Sequence, residues 1–264
     1  MPKAILIDTT RCIGCRGCQV ACKQWKNIPA EQAGFVPQED GSDKLSPKTL
    51  THVISNFCEK KDGRPTEYFV KRQCMHCNEP SCVAACPTAA LRKTDEGPVV
   101  YDGSKCIGCR LCTIVCPFSV PKFGWGKTLD LIKKCNLCYD RILAGMKPAC
   151  ASTCANNAIL FGERDELIAE AERRIRAHPD KYVNHIYGKD EVGGTSVLYL
   201  SSVPFEELGF RTDLGDEPLP ALKKRTIPGT AIGFGVILTD ARDKFTEEKR
   251  AAKRSLKIDR NSPQ

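Results

Sequence analysis

The chain has 264 residues, a formal net charge of +8 and 17 cysteines. A chain of this length can bury a core without cross-links, and an odd cysteine count argues against a framework made only of disulfides. The N-terminal MPKAILIDTTRC lacks the apolar core of a signal peptide, and no window holds the roughly 18 apolar residues of a membrane span. We therefore expect neither a signal peptide nor a transmembrane span in this sequence; its most apolar stretch is AIGFGVIL at 231–238.

Short strands and cysteine runs alternate along the first 160 or so residues of the chain. Ile5–Ile7 predict a strand before the first run, and a polar segment at 25–72 predicts an insertion that is mostly loop. AALRKT, Val99–Tyr101 and NAILFG predict further strands or helix starts beside the later runs. The expected repeating unit is a strand, a cysteine loop, a short helix and a second strand.

The C-terminal third has a different character. RDELIAEAERRIRAH places Leu167, Ile168, Ala171 and Ile175 near one face, which predicts an amphipathic helix that ends before Pro179. A strand is expected at 196–203, and prolines predict an extended arm over 213–264. The basic tail at 242–260 either attracts anionic partners or is a solvated helix of mixed charge; because no aromatic stacking positions accompany it, we expect no nucleic-acid binding.

Sixteen of the cysteines fall into four runs, and only Cys58 is left over. We expect Cys58 to be a structural thiol in a loop. The four runs consist of Cys12, Cys15, Cys18 and Cys22; Cys74, Cys77, Cys82 and Cys86; Cys106, Cys109, Cys112 and Cys116; and Cys135, Cys138, Cys150 and Cys154.

The first and third runs have the spacing C-x2-C-x2-C-x3-C, which is typical of bacterial ferredoxins. Three thiolates on a tight loop suit the separate irons of a cubane, whereas zinc usually takes one C-x2-C pair and a distant second pair. Gly14 and Gly108 fit loops that need positive φ and amides aimed at sulfur, and Pro87 and Pro117 follow the last cysteine of their runs. The spacing therefore favours iron-sulfur clusters over structural zinc or scattered disulfides.

The four runs in this order resemble the four-cluster iron-sulfur subunits of respiratory molybdenum or tungsten oxidoreductases, over residues 5–202. Within that family CIGCRGCQVACKQW, CMHCNEP, CIGCRLCTIVCPFSVP, KKCNLCYDRILAGMKPAC and IYGKDEVGGTSVLYLS are similar to the formate dehydrogenase beta subunit. The last of these carries no cysteine, so cluster chemistry alone does not require it. Ala155 departs from the family, where proline is common. The membrane-bound type has a carboxy-terminal membrane helix, and TAIGFGVIL followed by a charged tail leads us to expect none here.

The resemblance implies an α+β fold of two ferredoxin-like modules, each holding two [4Fe-4S] clusters and related by pseudo-symmetry. The first module would comprise residues 1–24 and 117–162, and the second residues 73–116. An insertion at 25–72, a helix-strand extension at 163–212 and the arm at 213–264 would complete the chain. The resemblance also implies which cysteines share a cluster: Cys12, Cys15, Cys18 with Cys154; Cys135, Cys138, Cys150 with Cys22; Cys74, Cys77, Cys82 with Cys116; and Cys106, Cys109, Cys112 with Cys86.

The implied function is electron transfer without catalysis. The chain has no G-x-G-x-x-G motif after a strand, no P-loop and no cluster of histidines; His76, beside cluster ligands, is expected to support them rather than to bind metal. The family implies a molybdopterin or tungstopterin catalytic partner and a haem, quinone-linked or cytochrome b acceptor. A nickel-iron hydrogenase partner, another molybdopterin oxidoreductase and a zinc-held scaffold are the alternatives.

Two questions stay open at the level of sequence. The compartment is either periplasmic, by export on a partner's signal, or cytoplasmic, with membrane association through a partner. Lys133, Lys134, Arg141 and Lys147 near the fourth run either raise the potential of a nearby cluster or are solvated surface cations.

Overall fold

The computed structural model describes residues 2–29, 45–59, 65–124 and 132–220. The stretch at 231–238, the basic tail and the arm beyond residue 220 lie outside the described residues. Within the described part, no helix combines the length and the apolar character of a membrane span. The strands are β1 (Lys3–Asp8), β2 (His52–Glu59), β3 (Pro65–Arg72), β4 (Leu91–Lys93), β5 (Val99–Tyr101), β6 (Ile159–Glu163) and β7 (Val197–Leu200). The helices are α1 (Gly17–Trp25), α2 (Ser81–Ala84), α3 (Leu111–Ile114), α4 (Tyr139–Leu143), α5 (Ala149–Ser152) and α6 (Arg164–Ala177).

The central sheet has the order β6-β1-β7, with β1 in the middle. β1 pairs antiparallel with β6, with Ile7 opposite Ile159, and parallel with β7, with Ile5 opposite Val197. Because β1 precedes the first cysteine run and β6 follows the fourth, this pairing brings the two ends of the cysteine-rich region together. β7 completes the same sheet, so the predicted strand at 196–203 belongs to this layer.

The sheet is buried on both faces, which explains why KAILID has almost no polar alternation. Ala4 and Leu6 pack against α6 on one face, where Leu167, Ala171 and Ile175 are buried. The amphipathic helix is therefore confirmed, and it ends two residues before Pro179.

The opposite face of β1, formed by Ile5 and Ile7, packs on the main core, and β2 and β3 contribute to that core. These two strands form an antiparallel hairpin of eight residues each, in which Ile54 faces Val70. The expectation that 25–72 is mostly loop was therefore wrong for 52–59 and 65–72. Polar residues such as Asn56, Glu67 and Lys71 interrupt the alternation and concealed the hairpin in the sequence.

β4 and β5 form a second hairpin, with Leu91 opposite Tyr101, between the second and third cysteine runs. Leu91 and Val99 are buried in a small core with Ile132. The predicted strands before and after the cysteine loops are present, so the described residues have the expected α+β character.

Candidate metal centre

The loops of the first and third runs are built by the same local interactions. β1 ends at Asp8, and Asp102 directly follows β5. The Oδ1 of each aspartate accepts a backbone N–H two residues on, from Thr10 at 3.1 Å and from Ser104 at 3.0 Å. A 3₁₀ turn follows and leads into the first cysteine of each run. The next turns use positive φ, at +69° for Gly14 and +74° for Gly108. The glycines therefore have the conformation that the sequence predicts.

The turn after the last cysteine is also repeated. Ala89, Ser119 and Asn157 have φ of 52°, 50° and 49°, and each lies three residues after the fourth cysteine of a run. Their N–H groups donate to the carbonyls of those cysteines at 3.1 to 3.4 Å. Asn157 makes this turn although Ala155 stands where the family commonly has proline. Asparagine tolerates left-handed backbone better than most residues, so the loop keeps its geometry without the proline.

The eleven residues between Cys138 and Cys150 are folded. They contain α4, a turn at Gly145 and the start of α5 after Pro148. Asp140 accepts hydrogen bonds from Trp25 Nε1 at 2.8 Å and Lys26 Nζ at 3.1 Å, which attach α4 to the end of α1. The gap is thus an ordered excursion that returns the chain to Cys150.

The fold brings cysteines of different runs together, and we group them here by the ligand sets that the family resemblance implies. Cys12 is within electrostatic range of Cys15 and Cys154, and Cys22 is within range of Cys138 and Cys150. Cys77 is within range of Cys74, Cys82 and Cys116. Cys112 is within range of Cys86, Cys106 and Cys109. We name these groups site A (Cys12, Cys15, Cys18, Cys154), site B (Cys22, Cys135, Cys138, Cys150), site C (Cys74, Cys77, Cys82, Cys116) and site D (Cys86, Cys106, Cys109, Cys112).

The four sites follow one another. Cys150 of site B is within electrostatic range of Cys18 in site A. Cys135 of site B reaches Cys74 of site C, and Cys82 of site C reaches Cys112 of site D. The order is therefore A, B, C, D.

Exposure of the thiols changes along this order. Every cysteine of site B is buried, whereas Cys15 of site A is exposed and Cys106 and Cys109 of site D are half-buried. Site B is thus the site most shielded from water, and site A approaches the surface at Cys15.

Burial makes most of these thiols weak acids. It raises the pKa of Cys18 and Cys22 to about 11, and that of Cys82 and Cys112 to about 12. Because metal ligation requires thiolates, loading the sites with iron must release protons. A metal therefore supplies the positive charge that these buried sulfurs need in order to ionise.

Backbone amides provide further stabilisation of negative sulfur. Leu137 N–H donates to Cys135 Sγ at 3.3 Å, and Gly108 N–H donates to Cys106 Sγ at 3.4 Å. At Cys86, burial acts to raise the pKa, but backbone amides, those of Leu91 and Thr88 foremost, outweigh it and lower the pKa. Amide-to-sulfur hydrogen bonds of this kind are a recognised determinant of cluster potential.

Two buried side-chain N–H donors, on His76 and Gln73, lie next to site C in sequence and could donate to the sulfurs of a cluster. His76 is fully buried, and its Nδ1 accepts the N–H of Val99 at 2.9 Å, so the ring proton lies on Nε2. Neither His76 Nε2 nor Gln73 Nε2 has an acceptor among the described residues. Cluster sulfurs would satisfy such donors. This position agrees with the expectation that His76 supports the ligands.

Two further observations fit cubane clusters. All 17 cysteines are free thiols, and the four cysteines of site D line one cavity with Leu91 and Tyr101 on its wall. Within residues 2–29, 45–59, 65–124 and 132–220, no three His, Cys, Asp or Glu side chains converge as a single metal ion would require. Cubane ligands bind irons at separate corners, so they lie further apart than the ligands of one ion.

The cations near the fourth run divide into two kinds. Lys134 is buried, and its Nζ donates to the carbonyl oxygens of Val99 and Cys135. Lys133 and Lys147 are exposed. Arg141 stacks on Trp25, 4.4 Å from the ring centroid. Only Lys134 of the four is thus a buried cation beside the sites.

Sequence reasoning missed two further lysines near the sites, the buried Lys71 and the half-buried Lys93. Lys71 is 1% exposed, and Lys93 Nζ donates to the carbonyls of His76 and Cys77 at 3.0 and 2.9 Å. Burial alone would lower the pKa of Lys71, but the thiolates of Cys150 and Cys18 outweigh burial and raise it. The signal available in the sequence was a lysine at a strand position that should face the core.

Cys58 differs from the expectation in one respect. It lies on β2 rather than in a loop, and it is buried in the main core. Its Sγ donates to the carbonyl of Glu207 at 3.5 Å. It belongs to none of the four sites, so its position is consistent with a structural thiol.

Comparison with known proteins identifies the family. Models of 4Fe-4S dicluster domains match residues 11–90 and 66–164. The chain is 36% identical over 259 residues to a protein of Nitratidesulfovibrio vulgaris, covering 94% of this chain and 69% of that protein. It is 38% identical over 201 residues to the nitrate-inducible formate dehydrogenase iron-sulfur subunit of Escherichia coli K12, covering 75% of this chain and 67% of the relative. It is 36% identical over 234 residues to hydrogenase-2 operon protein HybA of Escherichia coli O157:H7, covering 77% of this chain and 71% of that protein.

These matches show two ferredoxin-like dicluster domains and, with the cysteine count, support four [4Fe-4S] clusters. The chain therefore belongs to the family of electron-transfer iron-sulfur subunits that includes the iron-sulfur subunits of formate dehydrogenases.

Proposed function

We propose that the chain relays electrons along sites A to D, between a catalytic subunit at one end and a redox acceptor at the other. The observation that carries this proposal is the row itself, in which the cysteines of site B are all buried and Cys15 of site A is exposed. A bound [4Fe-4S] cluster takes up and releases one electron at a time. The protein holds each group of thiols in place, supplies amide donors to sulfur and excludes water from the middle of the row.

The proposed ligands are the sixteen run cysteines, grouped as in sites A to D. Each site takes three ligands from one run and one from another, so two distant runs must fold together before any cluster is complete. The β1–β6 pairing supports this for the first and fourth runs. We infer two modules with the expected boundaries, related by pseudo-symmetry; the matching turns at Asp8 and Asp102 support that relation.

The ligand sets are tested by a pair of serine variants. Cys22→Ser should damage site B and lower the iron content from about sixteen per chain, at four per cluster, while the other clusters remain. Cys58→Ser is the matched control, because Cys58 is also a buried thiol but belongs to no site. Full iron content in Cys22→Ser, or equal loss in both variants, would contradict the assignment.

We propose further that the catalytic partner is a molybdenum or tungsten formate dehydrogenase, and that a haem or quinone-linked subunit accepts the electrons. The support is the 38% identity to a formate dehydrogenase iron-sulfur subunit. No catalytic step is assigned to this chain.

A nickel-iron hydrogenase partner is the second candidate, and the similarity to HybA favours it. The two are separated by adding formate or hydrogen to the purified complex without air, and recording the paramagnetic signals of reduced clusters. Reduction by formate with bound molybdenum or tungsten supports the first candidate, whereas reduction by hydrogen with bound nickel supports the second. Failure of both donors would contradict both partner assignments.

A further inference from the structure

Among the described residues, Lys71 and Lys134 are buried and Lys93 is half-buried, and none of the three has a carboxylate partner. Lys71, Lys93 and Lys134 form no salt bridge with any Asp or Glu of the described residues. Their donors instead meet neutral oxygens, which for Lys71 is the Oε1 of Gln73. Burying an unpaired charge is unfavourable, so a compensating negative charge is needed nearby.

Lys71 is the most completely enclosed of the three, and β3 fixes its position. Its backbone pairs with Val53, and its carbonyl accepts a hydrogen bond from Tyr199 Oη at 2.7 Å. β3 also packs against the 3₁₀ turn Thr9–Arg11, which leads into Cys12 of site A. Lys71 is thus buried on a strand that contacts the turn leading into the first cluster loop.

The negative groups around Lys71 belong to two different sites. It is within electrostatic range of Cys12 and Cys18 of site A, and of Cys22 and Cys135 of site B. Lys71 thus lies where the fields of sites A and B overlap.

We propose that Lys71 is a fixed counter-charge shared by sites A and B, which raises the reduction potential of both clusters. Each one-electron reduction adds a negative charge to a site, and a nearby fixed cation stabilises the reduced form. The low polarity of the buried surroundings strengthens this interaction, and salt screens it little. The inference rests on the ligand sets proposed above, and it adds a residue that binds no iron.

The test replaces Lys71 by methionine, which keeps the length of the side chain and removes its charge. Lys71→Arg keeps the charge, and Lys133→Met removes an exposed lysine two residues before Cys135. Cluster potentials are measured by redox titration of the purified iron-loaded complex, followed by the paramagnetic signals of the reduced clusters. Total iron is determined in every variant.

In Lys71→Met we expect two of the four clusters to become harder to reduce, by at least tenfold in the reduction equilibrium, or about 59 mV for one electron. Lys71→Arg and Lys133→Met should leave all four potentials close to those of the parent protein. Full iron content with unchanged potentials in Lys71→Met would overturn the proposal, as would equal shifts in Lys71→Met and Lys71→Arg. The cysteine variants would still stand in that case, so failure of this inference is distinguishable from failure of the ligand sets.

Lys71→Met could instead lose iron before its potentials can be measured. Lys71→Gln, a second neutral variant, then decides the question together with Lys71→Arg. Iron loss in both neutral variants with retention in Lys71→Arg supports a requirement for the charge. Iron loss in all three variants shows that the site requires the shape of the lysine side chain rather than its charge, and this result overturns the proposal.

Discussion

Asp8 and Asp102 hold the same place in two matching loops, but only Asp8 is buried. Its Oδ1 accepts the Thr10 hydroxyl at 2.6 Å, and its Oδ2 accepts Arg174 Nη1 and Tyr182 Oη, each at 2.9 Å. Asp102 makes the same cap, but its side chain is 46% exposed and its nearest cation is Lys105 at 3.8 Å. The pair allows the cap and the buried ion pair to be separated experimentally.

Asp8→Asn keeps one side-chain oxygen, which can still accept the N–H of Thr10. It replaces the second oxygen with an NH₂ group that faces the donors of Arg174 and Tyr182. Breaking a buried ion pair costs about 3–5 kcal/mol, and Arg174 keeps Glu170 at 2.7 Å, so a value near the lower limit is expected. We expect a loss of about 3 kcal/mol, which lowers the midpoint temperature by about 6–12 °C in a domain of this size. Asp102→Asn removes only an exposed, long ion pair and should leave the midpoint temperature close to that of the parent.

The assay is the loss of cluster absorbance near 400 nm on heating without air. Because unfolding of a cluster protein is irreversible, both variants and the parent must be heated at one rate and compared as differences. Equal shifts in Asp8→Asn and Asp102→Asn would refute the reasoning, since only one of the two carboxylates is buried. A shift below about 2 °C in Asp8→Asn would refute it as well.

Two further predictions concern a cluster loop and a surface hydrogen bond. Gly14→Ala should lower the stability by about 2–4 kcal/mol, measured by the thermal midpoint, because the new Cβ would lie 2.6 Å from the Phe69 ring in a backbone of positive φ. The control Gly145→Ala has a similar φ but open space around it, and it should cost only about 1 kcal/mol. Equal losses of stability in the two variants would exclude the clash. The hydrogen bond to Glu191 raises the pKa of His185 in the folded state. The protonated His185 therefore stabilises the fold below the unfolded pKa of about 6.5, and this contribution is lost as the pH rises through the higher folded pKa. The midpoint temperature of the parent should therefore fall more than that of His185→Gln between about pH 6 and pH 8, and parallel profiles would contradict this.

Much of the local structure was predictable because it depends on neighbours in sequence. The strands before the cysteine loops, α6 and the positive φ of Gly14 follow from short-range pattern and sterics. The hairpin β2–β3 was not predictable, since its polar residues hide the alternation and its burial depends on distant partners in the core. The same limit applies to Cys58, whose place on β2 is fixed by that hairpin.

By itself the sequence determined the kind of metal centre, since the spacing of thiols within a run decides whether they suit separate irons or a single ion. It also placed sixteen cysteines in four runs and left Cys58 aside. Spacing within the runs did not show which runs share a site; the family resemblance implied it, and the tertiary structure places Cys154 near Cys12 and Cys22 near Cys150 and buries Lys71. Those relations join residues up to about 140 positions apart, and they arise from strand pairing and core packing, which no local pattern in the chain records.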